Sequence, residues 1–370
     1  MKVLCIMNQN IYHAKSGGGQ CALRNYTVIK HIMKSEDELF TCIIADEFFR
    51  ISQQEQIMCI PSVKNVAERA VSSLVGNKCY RIKYEKDIWK FIDRINPDIV
   101  YLDTSKLGKL IPKIKKRYGS KVICFFHNVE ADYSYNWVIH RGFPYLLSYW
   151  ASKWNEKRVV KYADHTICLT KRDAERIREL YGKMPDAIIP ISFEDKYRKE
   201  RVMIDNAKGL LFVGSFFPPN YDGIKWFIEQ VMSKLPQEKL TVVGKGFEEE
   251  RENLKRNNVA IQGTVEDLEE YYYTYPIVVM PIQYGAGMKV KIAEAMMYNK
   301  IILATDEALE GYEIDGNRGI FRCNTVEEFI NTINGIQRGN IKVCPESRKI
   351  FLKRYKNEII ENQFRKFIEL

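Results

Sequence analysis

The sequence predicts an α/β protein of two doubly wound domains. Three observations carry that prediction: the chain's length, an alternation of short β-rich runs with helical patterns, and a polar break near its middle. At 370 residues the chain exceeds one ordinary core and suits two of roughly 150 to 200 residues each. In the first half the expected strands are Lys2 to Met7, Phe40 to Ala45, Asp98 to Leu102, Lys121 to Phe126 and His165 to Leu169. Helical spacing separates them, as where Ile88, Trp89, Ile92 and Ile95 recur on one face. From Met184 to Gly209 the chain is polar, broken by Pro185 and Pro190, and reads as a connection. A second series follows at Leu210 to Gly214, Leu240 to Gly244, Val259 to Gly263, Ile277 to Pro281 and Lys300 to Thr305. Three of these run directly into glycine, as strands do where their carboxyl ends open toward a ligand. The expected domains are 1–190 and 205–345, closed by a helix over 346–370 expected to pack across the domain junction.

Composition narrows the class. With 46% hydrophobic and 28% charged residues the chain is globular, and it carries no low-complexity tract or internal repeat. The first residues, MKVLCIMNQN, fit a buried strand and are too short for a signal core. No apolar run approaches the ~20 residues that span a bilayer, so a cytoplasmic protein is expected. The nine cysteines are scattered singly and read as reduced core residues. No metal is expected, because the five histidines lack the spacing of a metal site. The net charge of +10 is uneven: 34 Lys and Arg against 23 Asp and Glu up to residue 200, then 23 against 24. An excess confined to the first half suggests an anionic partner there, such as a membrane surface, a lipid phosphate or nucleic acid. A generally basic solvated surface is the bland alternative.

The segment most able to do chemistry is Met280 to Thr305. A strand ends at Pro281, a loop carries Gly285 and Gly287, and a helix starts near Met288 and runs to about Tyr298. Glycines let backbone N–H groups approach an anion, and a helix N-terminus adds about half a positive charge. Lys289 and Lys291 sit where a cation opposes the helix dipole unless an anion is bound. Glu294 lies three residues after Lys291 on a shared face. It either accepts hydrogen bonds from vicinal hydroxyls or forms a plain surface ion pair.

Three further segments are candidates. Ser16 to Gln20, with Gly18 and Gly19, follows the first strand and reads as a flexible turn or a phosphate contact. His127 stands at the carboxyl end of an apolar strand, where α/β ligands bind, followed by Asn128 and Glu130. A structural histidine is the alternative. From Tyr133 to Lys161, Trp137, Trp150 and Trp154 interleave with Arg141, Lys153, Lys157 and Arg158. That mixture suits either an interfacial membrane contact or a buried amphipathic helix with a charged edge.

These segments resemble the retaining glycosyltransferases of family 4, in the branch whose loop reads G-x-G-x-K-x-K-x-x-E-A-M. Phe212 to Ile228, Val242 to Gly246, Gly263 to Tyr272, Ala308 to Glu313, His127 to Ala131 and Ala163 to Ile177 also fit, in order and spacing. The resemblance implies a GT-B fold, two Rossmann-like domains facing each other across a cleft. The N-terminal domain would bind the acceptor and the C-terminal domain the nucleotide sugar. Glu294 would hold the ribose. The loop of Gly285, Gly287 and Met288, with Lys289 and Lys291, would hold the diphosphate, and Gly18, Gly19, Gly214, Lys245 and Glu310 would complete the donor site. His127, Lys289 and Glu294 would be the catalytic group, with Asn128 and Glu130 on the acceptor. Two departures matter: the family's earlier glutamate is Ala286 here, and its Arg/Lys pair after the first C-terminal strand is Ser215 and Asn220.

The expected activity is retaining, metal-independent transfer of a hexose from a nucleoside diphosphate sugar, UDP-sugar favoured over GDP-sugar. The acceptor would be a glycan or lipid-linked glycan in cell-surface polysaccharide synthesis, with no cofactor beyond the donor substrate. The basic N-terminal domain would contact an anionic membrane peripherally. A nucleotide-sugar epimerase or phosphorylase on the same fold is the enzymatic alternative. A basic nucleic-acid-binding protein is the other, against which no recognition module appears.

Overall fold

A computed structural model of the chain describes residues 1–13, 17–45, 55–63, 65–201, 209–314, 319–339 and 346–368. Two compact units divide it, Met1–Pro190 with Ile360–Leu370, and Ile191–Ile359.

The first unit holds a parallel sheet of β1 (Lys2–Met7), β2 (Glu38–Ala45), β3 (Ile57–Pro61), β4 (Ile99–Leu102), β5 (Lys121–Phe126), β6 (His165–Cys168) and β7 (Ala187–Ile188). Their spatial order is β3-β2-β1-β4-β5-β6-β7, every pair parallel. Its helices are α1 (Gly17–Ile32), α2 (Val66–Leu74), α3 (Glu85–Ile95), α4 (Ile111–Tyr118), α5 (Glu130–Arg141), α6 (Leu146–Tyr162) and α7 (Lys171–Tyr181). In α3 the expected stripe of Ile88, Trp89, Ile92 and Ile95 is buried, and Asn96 ends the helix in the left-handed region at φ 49°. Val100, Leu102, Cys124 and Phe126 join that stripe in one core, filling the sheet face between the helices.

The second unit repeats the plan with β8 (Leu210–Val213), α8 (Pro218–Trp226), β9 (Leu240–Val243), α9 (Arg251–Leu254), β10 (Val259–Gly263), α10 (Leu268–Thr274), β11 (Ile277–Met280), α11 (Val290–Met297), β12 (Ile301–Ala304), β13 (Ile320–Arg322), α12 (Val326–Gln337) and α13 (Ser347–Ile350). Its strand order is β10-β9-β8-β11-β12-β13, again all parallel. In each sheet the winding reverses once, between β1 and β4 and between β8 and β11. Ligands of open α/β sheets bind beyond the carboxyl ends of strands at such reversals.

Three strands escape the sequence reading: β3, β7 and β13. Each is the edge of its sheet, and β3 is largely half-exposed. An edge strand is covered on fewer sides, so it lacks the continuous apolar run that betrays a central one. The connecting segment expected from Met184 to Gly209 therefore includes β7. The single closing helix expected over 346–370 is also corrected. It is α13, a π-helical turn at Phe351–Tyr355, and α14 (Asn357–Ile368). The break comes at Lys356, whose extended backbone (φ −80°, ψ 142°) forms a parallel bridge with Phe193.

Candidate active site

In the second unit the chain crosses the reversal point through glycine. Gly214 follows β8 and Gly244 follows β9, and a Cβ on Gly244 (φ +153°) would overlap the Gly214 carbonyl. Side chains are thus excluded where the two backbones meet, and both glycine N–H groups donate to neighbouring strands, Gly214 to the Val243 carbonyl and Gly244 to that of Gly263. Beyond β11, Gly285 (φ +155°) and Gly287 (φ +64°) turn the chain back into α11. A Cβ on Gly285 would stand 3.5 Å from the Lys289 ammonium.

Helix α11 begins at Val290, two residues later than the sequence suggests, so Lys289 is its N-cap and Lys291 stands in its first turn. Lys289 Nζ donates to the Gly287 carbonyl at 3.1 Å and pairs with the Glu307 carboxylate. Lys291 Nζ lies 2.7 Å from Glu294 Oε2, which also accepts from the Tyr272 hydroxyl at 3.0 Å. The plain Lys291–Glu294 ion pair thus forms, with Glu294 buried and Lys291 half-buried. The Tyr312 hydroxyl accepts from Ala293 N at 3.3 Å and donates to Lys289 O at 3.0 Å, which pins the helix start. Two lysines therefore flank the start of α11, each ammonium held by its own carboxylate, Glu307 for Lys289 and Glu294 for Lys291, for which a phosphate could substitute. Met288 is buried beside them. Glu310 lies in the turn after β12, with its N–H directed at the Glu307 carbonyl, and Lys245 is exposed after β9. Tyr272, Glu307 and Tyr312 are not among the site residues expected from the sequence, because they enter from two other segments, α10 and the turn after β12.

Replacing Lys289 and Lys291 together by Ala is expected to weaken UDP binding at least tenfold, since a hydrogen bond to a charged group contributes about 1.5–3 kcal/mol. Titration calorimetry reads this directly, and an unchanged affinity would remove both lysines from the site.

In the first unit a second cluster forms at the β1/β4 reversal. Strand periodicity aims Tyr101, Asp103, Phe125 and His127 at one face of the sheet, Asp103 and His127 just past the ends of β4 and β5. His127 Nε2 is 3.0 Å from Asp103 Oδ2. Asp103 Oδ1 accepts from Asn25 Nδ2 at 3.1 Å and from the Tyr101 hydroxyl at 3.2 Å. Burial alone would push the His127 imidazole down, but the Asp103 carboxylate and then Cys21 hold it well above its ordinary value. That direction favours the imidazolium, the form in which both ring nitrogens donate.

Its loop is fixed from below. Val129, the N-cap of α5, supplies no side-chain cap, and Glu156 on α6 takes that part. Glu156 accepts from Glu130 N at 2.7 Å, Ala131 N at 3.1 Å and the Tyr181 hydroxyl at 2.7 Å. Glu130 is itself buried, 3.2 Å from Lys106, while Asn128 is half-buried. Gly17–Gly19 form the first turn of α1, so Gly18 and Gly19 are helical rather than a flexible turn. Ser16 lies outside the described residues.

The floor of the cluster comes from the far end of the chain. Phe364 of α14 is fully buried, offset-stacked on Phe125 (centroids 6.3 Å apart), 6.5 Å from Tyr101 and 5.7 Å from the Arg24 guanidinium. Phe125 in turn lies 5.0 Å from His127. Phe364→Ala is expected to cost about 3–5 kcal/mol, the usual loss for a buried Phe, and Phe364→Leu much less. Denaturant unfolding measures both.

Comparison with known proteins follows the same division. The family "Glycosyltransferase Family 4" matches residues 57–192, and "Glycosyl transferases group 1" matches residues 207–338. A Klebsiella pneumoniae protein named "Uncharacterized 44.6 kDa protein in cps region" is 27% identical over 187 residues. That match spans 47% of this chain and 47% of the relative, about half the length of each. Among solved structures, Anabaena HepE in complex with UDP and glucose superposes with a TM-score of 0.70 at 15% identity, covering 100% of this chain and 99% of its own. Sucrose-phosphate synthase from Thermosynechococcus elongatus gives 0.76 at 13% identity, covering 100% and 98%. The lipopolysaccharide outer core galactosyltransferase WaaB, in its apo form, gives 0.67 at 14%, covering 100% and 99%. At such identities the structural likeness is one of fold. With both family matches and two parallel sheets in place, the chain belongs to the family 4-like glycosyltransferases and has their two-domain GT-B fold.

Proposed function

We propose that the chain transfers a hexose from a nucleoside diphosphate sugar to a glycan or lipid-linked glycan, with retention at the anomeric carbon, in cell-surface polysaccharide synthesis. The observation that carries the reading is the placing of Lys289 and Lys291 at the start of α11, with the buried Glu294 one turn on. On departure the nucleoside diphosphate gains negative charge. Two ammonium groups and backbone amides fixed beforehand stabilise that charge without reorganising, which is the work a metal ion does in other transferases. Glu294 accepts hydrogen bonds from the ribose hydroxyls and is oriented by Tyr272. His127 donates from its imidazolium to the transferred sugar or the acceptor, and Asp103 keeps it charged and aimed. Asn128 and Glu130 adjoin it on the acceptor side.

UDP is favoured over GDP because HepE, which shares the fold, is described in complex with UDP and glucose. WaaB's description as a lipopolysaccharide galactosyltransferase supports a cell-surface glycan as acceptor, and a lipid-linked acceptor would draw the enzyme to the cytoplasmic membrane face. Release of nucleoside diphosphate, measured with and without acceptor, tests the reaction class. Transfer predicts release that acceptor accelerates. Conversion of donor without release would instead assign an epimerase. A thermal-shift series of UDP- and GDP-sugars tests the base, with the larger stabilisation expected from UDP-sugars.

A further inference from the structure

Helix α6 is built inside out. Over its first three turns the buried side carries Ser148, Ala151, Ser152, Asn155 and Glu156, followed by the apolar Val159 and Val160, while its outer side carries Leu147, Trp150 and Trp154. The inner polar groups of Ser152, Asn155 and Glu156 are engaged within the unit. The Ser152 hydroxyl contacts Lys78 and Ser134, Asn155 Nδ2 donates to the Gly76 carbonyl at 2.9 Å, and Glu156 caps α5. Small residues there let the neighbouring backbone come close: a Cβ on Gly108 would run into the Asn155 carbonyl. Packing thus accounts for the inner face, and among the described residues it leaves Leu147 and Trp150 of the outer one exposed.

The outer stripe continues into its neighbours. Tyr135 of α5 lies 5.5 Å from Tyr149, which meets Trp150 at 5.3 Å, and the ring of Trp154 lies against Gly76, at the end of α2. Around it stand Leu74 (69% exposed), Ile139 (62%), Phe143 (85%) and Trp150 (56%), with Val71 and Val75 exposed as well. So many large apolar side chains on one helical layer mark an interaction surface.

Charge selects the occupant. On α2, α5 and α6 the acids are Glu68, Glu130, Asp132 and Glu156. Glu130 and Glu156 are buried, Glu68 pairs with Arg81 and Asp132 with Arg176. The outer charges of α6 are Lys153, Lys157, Arg158 and Lys161, all positive. Lys153 lies 5.9 Å from the Trp150 ring and Arg158 3.6 Å from that of Trp154, so the cations snorkel along the aromatics. A second copy would lay this patch on itself and oppose lysine to lysine.

We propose that the ridge of Val71, Leu74, Ile139, Phe143, Leu147 and Trp150 enters the interface of an anionic lipid bilayer, while Lys153, Lys157, Arg158 and Lys161 bind its headgroups. No helix among the described residues is long and apolar enough to cross a membrane, so the contact is peripheral. It deepens the reading of a lipid-linked acceptor by naming the face that meets the lipid, and its test measures lipid binding rather than transfer.

The full chain is floated with phosphatidylcholine vesicles and with vesicles that also contain phosphatidylglycerol. Binding is expected only to the anionic vesicles and weakens as salt rises. Phe143→Ser with Trp150→Ser reduces it at least about tenfold, and Lys153→Glu with Lys157→Glu abolishes it, while thermal melting stays as in the parent. Absence of anionic-vesicle binding, or equal binding by the Phe143/Trp150 variant, overturns the proposal. Self-association that this variant abolishes, seen by sedimentation, also overturns it and assigns the ridge to a second copy. Transfer to a water-soluble acceptor by the ridge variant keeps the two readings separate. Loss of transfer in the parent defeats the proposed reaction and leaves the vesicle result standing.

Discussion

Glu294→Ala is expected to lower kcat/KM at least about a hundredfold, close to 2.7 kcal/mol of transition-state stabilisation, and to weaken UDP binding with it. Two effects add. The ribose loses its acceptor, and Lys291 loses the carboxylate that holds it 2.7 Å away. The buried Tyr272 hydroxyl is left facing a cavity, which costs further stability. Glu294→Gln separates these contributions. It keeps the volume and the Tyr272 bond, so melting should change little, while nucleotide affinity still falls. Turnover of Glu294→Ala equal to the parent's would remove this residue from the donor site.

The second large effect is expected at His127. His127→Asn should reduce transfer by about a hundredfold or more, in the range for loss of a fixed charged donor. The pH dependence identifies the cause. His127 is held above its ordinary value, with burial working against the shift and Asp103 and Cys21 producing it. A raised folded value means that the His127–Asp103 pair stabilises fully below about pH 6.5, the unfolded value. That stabilisation disappears as pH rises through the higher folded value. The parent should therefore lose thermal stability and activity together as pH rises beyond the ordinary imidazole range, and His127→Asn should show a flatter melting profile there. Asp103→Asn retains the hydrogen bonds from Asn25 and Tyr101 in part but removes the charge. It should move the high-pH limb of the activity profile to lower pH. An unshifted limb would deny Asp103 its part in charging His127.

What the sequence reveals follows from where information is local. Central strands such as Lys121–Phe126 are covered on both faces and announce themselves as apolar runs. The edges β3, β7 and β13 are short or half-exposed and do not. The loop and helix from Gly285 to Met296 are legible because glycine, lysine and glutamate fall within a dozen residues of one another. Asp103 is not, although a carboxylate directly after the apolar run Ile99–Leu102 is a usable signal once the sheet order places β4 beside the reversal. Asn25, Tyr272, Glu307, Tyr312 and Phe364 reach their places only through tertiary packing, and no spacing rule connects them. The closing helix is misread for the same reason. Charged residues with apolar spacing suggest one element, whereas a backbone bridge at Phe193 breaks it at Lys356.

The central claim is that the glycine loop and the start of α11 hold the diphosphate and ribose of a sugar nucleotide. Calorimetric titration of the parent chain with UDP, and then with GDP, tests it most directly. Saturable binding of UDP at one site is expected, tighter than GDP, with affinity lost in Glu294→Ala. If neither nucleotide binds the parent, the account is contradicted.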